Sequence, residues 1–279
     1  MSNNELYLEN IGGNQYRFRY PRSIFDLEEL VFDAIDLIEA EEIVEAKTIL
    51  HSVVDTFPHH IEALHYLAVC LHHQGEKNIA FSTWLNAVNI GVMCFPSEVT
   101  MKDTTIEWGW MENRPFLRAY HAVGLALYER GDTKKALKVF NDLLSMNPFD
   151  NQGVRVLGIK ANFDLKKPKA ILDICNQFPD DNMAETIYGR LLVLYQLKRK
   201  GSGETLKQAI ELLPLIAREI VRPNHSEIDD LLNSNSINDE EIEAIEYWQN
   251  FGKYWKNTQG AIEFIEEGIV KFGSENLRT

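Results

Sequence analysis

Apolar residues along this chain follow two periods, and the change between them comes early. From Leu6 to Tyr20 apolar and polar side chains alternate, with LYLE and YRFR flanking IGGN. Period-two alternation around a glycine turn predicts a β-hairpin over 5–20, with Leu6 and Leu8 sharing a face with some of Tyr16, Phe18 and Tyr20. A lone hairpin is marginal in water. Its apolar face is therefore expected to rest on the helices C-terminal to it, as a cap; the alternatives are a plug within the chain or a sheet edge for a partner. From Leu27 the spacing becomes helical, through Leu27, Leu30, Val31, Ala34, Leu37 and Ile38. A second helix carries Ala46, Ile49, Leu50, Val53 and Val54 and is stopped at Phe57-Pro58, since proline lacks the N–H donor and restricts the residue before it. A third runs Ile61 to His73 and a fourth Asn78 to Ile90, with Gly75 supplying the turn between them.

The run from Gly91 to Pro115 breaks the pattern; its WGWMENRPF core is aromatic and expected to be packed. Helical spacing resumes in 117–150, two helices around Gly131, and continues through Asn151–Phe163, Lys169–Phe178, Ala184–Leu197 and Thr205–Ile220. Residues 222–240 read as a polar loop with one short helical turn. Two final helices within Glu241–Phe272 carry Tyr247, Trp248, Phe251, Tyr254 and Trp255. No strand is predicted after the hairpin.

These helix pairs overlay on one another. Gly75 and Gly131 share a turn position, and Ala46, Ala80, Ala136 and Ala170 share a small position in the second helix. Leu50, Trp84, Phe140 and Ile174 follow four residues later, and Pro58 and Pro148 close their units. Units 27–60 and 61–94 are contiguous, as are 117–150 and 151–184, with 95–116 inserted between the pairs. On these residues the chain resembles the tetratricopeptide repeat family, whose unit is a 34-residue helix–turn–helix. Unit 117–150 carries the pattern best, through Tyr120, Val123, Gly124, Leu127, Ala136, Phe140 and Pro148. In 61–94 Ala68 replaces the first-helix glycine; in 27–60 Asp33 stands at an apolar position and Glu41 at the turn. Beyond residue 184 half-matches remain, such as Gly189 and Ala261. The segments WGWMENRPFLRA, NPFDNQGVR and WKNTQGAIEFI are similar to a subgroup of these proteins that includes bacterial members of undefined role and, more distantly, the suppressor-of-tumorigenicity family.

The resemblance implies an all-α, right-handed superhelix of antiparallel helix pairs behind the hairpin. One pair cannot bury its apolar face alone, so units stack and the ends need caps. The expected organisation is a hairpin cap over 1–22, two units over 23–94, the insert 95–116, two units over 117–184, and divergent helical pairs with a terminal cap over 185–279. The resemblance also places the first helix of each unit on a concave face. The candidate peptide-binding residues are then His65, Val69, His72, Arg118, His121, Leu125, Tyr128, Arg155, Ile159 and Asn162. Glu62, His73, Glu129, Gln152 and Phe163 fall on the same frame. Arginines and histidines here suggest a peptide or protein partner with an acidic element and apolar anchors. The chaperone clamp for a C-terminal carboxylate needs Lys and Asn where this chain has Val31 and Ile35, His65 and Val69, His121 and Leu125, or Arg155 and Ile159; it is not expected.

Charge and chemistry narrow the function. A formal net charge of −14 disfavours nucleic acid, whose phosphates require a clustered cationic surface. The longest apolar run, Ala63 to Leu71, falls far short of the ~20 residues that span a bilayer. The N-terminus shows no signal-peptide pattern, and Cys70, Cys94 and Cys175 suit reduced thiols. A protein of the cytoplasm, without membrane insertion, is expected. No histidine pair has i,i+4 spacing and no HExxH occurs; His65 and His72 lie about 10 Å apart along a helix axis. No metal and no cofactor are expected. GxSxG and phosphate-binding loops are absent, and no catalytic residue is assigned. The reading is a non-catalytic protein–protein interaction scaffold binding a peptide or protein segment in the concave groove. The alternative is an assembly subunit that uses its ends or the 95–116 insert, its groove filled by the hairpin; an enzyme of unrecognised type is the remote one.

Overall fold

Leu8, Tyr16 and Phe18 fall on one face of the hairpin, and all three are buried. Strands β1 (Tyr7–Gly12) and β2 (Gln15–Arg19) pair antiparallel with Leu8 opposite Phe18 and Asn10 opposite Tyr16. The computed structural model describes residues 5–225 and 238–273. The helical turn expected within 222–240 lies largely outside the described residues. The chain divides into two compact units, 1–155 and 156–279, and the boundary falls inside the fourth expected repeat.

In the first unit the helices come in three pairs: α1 (Phe25–Glu39) with α2 (Ile43–Thr56), α3 (Ile61–His73) with α4 (Lys77–Met93), and α5 (Arg114–Glu129) with α6 (Thr133–Met146). Successive pairs stack, α2 on α3, α4 on α5 and α3 on α5. Ala46, Ala80 and Ala136 are fully buried at the small position. Gly124 permits the approach of α5 to α6: a β-carbon there would come within 2.6 Å of Phe140 Cε1. The turns of the second and third pairs use Gly75 and Gly131 at φ 80° and 79°. Glu41 takes the same left-handed conformation at φ 63°, which costs a residue with a β-carbon about 1–2 kcal/mol. Asp33, the mismatch in the first unit, is exposed, so it buries no charge.

The insert is more ordered than the irregular run expected. α4 continues past Ile90 through Gly91, where a β-carbon would meet Phe116 Cδ2 at 2.3 Å. Two short 3₁₀ turns come next, Met101–Asp103 and Met111–Asn113. α5 then starts at Arg114 rather than Leu117, with Pro115 in its first turn, where a missing N–H costs no intrahelical bond. The hairpin lies against this insert. Tyr16 N donates to Thr105 O (2.9 Å) and Thr105 N to Asn14 O (2.8 Å). Fully buried Asn113 links the two: its Oδ1 accepts from Phe18 N (3.0 Å), and its Nδ2 donates to Tyr16 O (3.3 Å) and Glu107 O (3.0 Å). The Phe18 ring sits 5.2 Å from that of Phe116.

The second unit takes in most of α7 (Val154–Asp164), then α8 (Pro168–Gln177), α9 (Ala184–Gln196), α10 (Ser202–Leu212), α11 (Pro214–Val221), α12 (Asp239–Lys256) and α13 (Ala261–Phe272). The single helix expected over Thr205–Ile220 is two, because Pro214 forces Leu213 out of the helical region (φ −131°, ψ 67°). Ala170 is half-buried while Ile171 is buried. With the turn made at Lys166 (φ 54°), the fourth repeat therefore slips by one residue in its second helix. Tyr188, Tyr247, Phe251 and Trp255 centre this unit's core. Tyr188 donates its hydroxyl to Ala209 O and Leu213 O (3.1 and 2.8 Å), and Trp255 Nε1 donates to Tyr247 Oη (2.8 Å). α12 opens with a capping box, Asn238 accepting from Glu241 N and Glu241 from Asn238 N.

Candidate functional site

α3 and α5 pack side by side and present residues two helical turns long into a common groove. Six of the ten candidate residues line one cavity there of about 340 Å³: His65, Val69 and His72 from α3, and Arg118, His121 and Leu125 from α5. Trp84, Ala122, Ala126, Glu129 and Gln152 complete its wall, and none of residues 5–20 lines it. Val69 and Leu125 are half-exposed, so the apolar part of the surface is open to a ligand. Trp84 closes one side, donating Nε1 to His65 O (3.2 Å) with its ring 5.8 Å from that of His72. His72 Nε2 lies 3.6 Å from Glu129 Oε2.

The electrostatics differ from the cationic groove expected. Arg118 is ion-paired with Glu62, and its guanidinium lies over the Trp108 ring at 5.5 Å. Arg155 pairs with Asp150 (2.8 Å), whose carboxylate also accepts from Val154 N (2.7 Å) and Arg155 N (3.0 Å) and so caps the start of α7. An acidic ligand would have to compete with a carboxylate already in place at both arginines. Burial, then the Arg118 and His121 charges, hold His65 down to about 3. Burial lowers His121 as well, with Asp150 acting against it. Both imidazoles are neutral near pH 7. Their buried nitrogens His65 Nδ1 and His121 Nε2, with Gln152 Oε1, have no hydrogen-bond partner. Gln152 meanwhile donates Nε2 to Leu117 O (3.3 Å). A neutral imidazole carries no charge and offers one donor and one acceptor.

The other candidate residues do not join this cavity. Tyr128 is half-buried one turn beyond Leu125 and Arg155 holds Asp150, and neither lines it. Ile159 is fully buried in the core of the second unit, its Cγ2 within 3.3 Å of where a Gly189 β-carbon would stand. Asn162 is buried too, and its Nδ2 donates to Gly158 O (2.8 Å) within α7. A groove-lining role for Ile159 and Asn162 is therefore corrected: helical phase turned them into the core. Trp84 was missed because its position in the second helix of a repeat reads as filler between units. Among the described residues, no three His, Cys, Asp or Glu side chains are grouped to hold a metal ion, and no helix is long and apolar enough to cross a membrane.

A family model described as "Transcriptional repressor TCF25" matches residues 36–277, most of the chain. The chain belongs to the Tcf25 family. The match runs through both compact units from near the end of α1 and takes in the later repeats, the insert and the aromatic C-terminal pair, in keeping with the tetratricopeptide-like subgroup that those segments resemble. No curated protein matches the chain. Among solved structures, this Tcf25-family chain is similar to YrrB, described as a TPR protein with an unusual peptide-binding site, at 15% identity and TM-score 0.46 over 69% of this chain and 91% of that one. It is similar to a tetratricopeptide repeat protein from Parabacteroides merdae at 15% identity and TM-score 0.46, over 89% and 99%. The C-terminal part of a TPR repeat-containing protein from Cytophaga hutchinsonii aligns at 11% identity and TM-score 0.49, over 87% and 78%.

Proposed function

We propose that this chain is a non-catalytic scaffold that holds an extended segment of a protein partner in the groove between α3 and α5. The observation that carries the reading is the convergence of His65, Val69, His72, Arg118, His121 and Leu125 on one cavity. Val69 and Leu125 supply apolar anchorage, and the neutral imidazoles with Gln152 supply hydrogen bonds to the segment's amide groups. The acidic element expected of the partner is not needed for this recognition, since Glu62 and Asp150 already answer Arg118 and Arg155. In a family described as a transcriptional repressor, a chain of net charge −14 fits action through a protein partner better than contact with DNA phosphates.

The test is selection of a random-peptide library on the full chain, followed by fluorescence titration of the selected peptides. Leu125→Asp is expected to weaken binding at least ~10-fold by placing a charge on the apolar anchor. His121→Leu is expected to weaken it about 3- to 10-fold through one lost hydrogen bond. Peptides that bind wild type and both variants equally would remove the groove from the reading.

A further inference from the structure

The turns between α7 and α8, between α9 and α10 and between α12 and α13 meet at one end of the second unit. Lys253 Nζ reaches Asp164 Oδ1 (2.7 Å), and Tyr254 donates its hydroxyl to the same oxygen (2.8 Å). Gln196 Nε2 donates to Thr258 Oγ1 (2.8 Å), and Tyr195 Oη to Gln259 O (3.3 Å). A cavity of about 690 Å³ opens among these turns, lined by Lys166, Lys167 and Lys253. Lys198, Arg199 and Lys200 follow Gln196, another lining residue, in the turn after α9, and Lys169 stands in the first turn of α8. Lys166, Lys167, Lys169, Lys198, Arg199 and Lys200 are all exposed. Among the described residues none of these six is ion-paired, and Asp164, already held by Lys253 and Tyr254, is the one carboxylate that lines the cavity. In a chain of net charge −14 this is a concentration of unanswered positive charge. Neighbours in each run repel inside the ~10 Å screening length. Lys167 and Lys169 also flank the N-terminus of α8, where positive charge is unfavourable. A bound anion relieves both costs.

The rest of the lining selects among anions. Phe163, Pro168 and Ile171 give the cavity an apolar wall, which an inorganic anion leaves uncovered and a polypeptide covers. Single-stranded nucleic acid is held on open aromatic rings that stack with its bases. Here Phe163 and Tyr254 stack on each other at 4.6 Å and both are buried. A lipid surface is gripped by basic side chains together with apolar ones that insert. The large exposed apolar residues of the second unit, Met183, Leu212 and Val270, fall outside these turns. An extended polyanion of either kind would also run past the recess onto a chain whose overall charge repels it. A short acidic stretch of polypeptide meets the charge and the apolar wall together.

We propose that this recess is a second docking site, which takes an acidic segment of a partner polypeptide, its Asp and Glu carboxylates on the lysines and its backbone over the apolar wall. The site lies wholly within the second unit and does not rest on the groove reading. The test is fluorescence anisotropy of a labelled octapeptide of alternating Glu and Asp, titrated with the full chain at about 0.15 M salt. The Gln and Asn counterpart, a single-stranded RNA oligonucleotide and vesicles of phosphatidylcholine and phosphatidylserine in equal parts are compared with it, and inorganic phosphate serves as competitor. The acidic peptide is expected to saturate at least ~10-fold more tightly than the other three and to stay bound in millimolar phosphate. Lys166→Glu with Lys167→Glu is expected to weaken it at least ~10-fold, and Lys166→Gln with Lys167→Gln at least ~3-fold. The substituted lysines are exposed, so an unshifted thermal transition marks each variant as folded. Lys77→Glu with Lys134→Glu, the same change of charge on the first unit, is expected to alter affinity less than ~2-fold, as is Leu125→Asp, which tests the groove. Equal losses from the two charge-reversed pairs would reduce the effect to net charge and overturn the site, as would an acidic peptide that fails to saturate. Displacement by phosphate, or tighter binding of the RNA or the vesicles, would overturn the polypeptide assignment.

Discussion

His60 and His65 sit within two turns at the start of α3, one capping the helix and the other flooring the groove, and both are held neutral by burial. Their folded pKa values, about 4 and about 3, lie below the unfolded value of about 6.5. The unfolded chain therefore binds protons first as pH falls. The stability that neutral rings contribute is complete above about pH 6.5 and is lost on acidification toward pH 4, by up to ~1.4 kcal/mol per pH unit for each histidine. Glu62, whose pKa burial raises, with Arg118 opposing, pulls the other way, so the variant comparison is needed. His65→Leu is predicted to flatten the dependence of urea-unfolding free energy on pH between 6 and 4 by nearly one proton. An identical slope in the two proteins would mean that His65 is not neutral-buried as described. At this scale the sequence marked His65, His72, Arg118 and His121 for one surface, and they share it. It could not show that Arg118 is held by Glu62, because residues 56 positions apart meet only through the packing of α3 on α5.

Elements were legible where one residue dictates them. Gly75 and Gly131 fix turns, Pro58 ends α2, and alternation in LYLE and YRFR makes the strands. Two of the helix boundaries that differ from expectation do so for one reason, the backbone demands of Pro115 and Pro214. Proline is welcome in a first helical turn and breaks a helix interior, which places the start of α5 earlier and splits α10 from α11. The hairpin and the insert behave as one element because Asn113 satisfies backbone groups of both. Asn113→Leu keeps the volume but removes three hydrogen bonds, and is predicted to cost about 2–4 kcal/mol. Hydrogen exchange at the Phe18 amide, which donates to Asn113, should speed up well beyond that of amides inside α6. If Phe18 stays protected in a folded Asn113→Leu protein, the strand is held by something other than this side chain.

The whole chain carries two compact units, each with its own core: Phe116, Phe140 and their neighbours in the first, and Tyr188, Tyr247, Phe251 and Trp255 in the second. In stacked repeats stability is a sum of local terms, so a cavity cut into one core need not be felt in the other. Phe140→Ala is predicted to lower the protection of α3 to α6 by about 3–5 kcal/mol, measured by native-state hydrogen exchange, while amides of α9, α12 and α13 change far less. A uniform loss across both sets would show one cooperative fold, and the two-core account would fail.

What the chain determined by itself is the set of local decisions: period two for the hairpin, period 3.6 for the helices, small residues where helices must touch, glycine where φ is positive. Those depend on neighbours within one or two turns, and they were enough to predict the paired helices and to single out six residues that line one cavity. The tertiary structure decided whatever depends on distant partners. It set which carboxylate meets which arginine, and it turned Ile159 and Asn162 inward. It laid the insert beneath the hairpin and enclosed His60 and His65 so that they remain uncharged. Burial and pairing are properties of packed surfaces, and a linear pattern records the residues that can pack without recording what lies across from them.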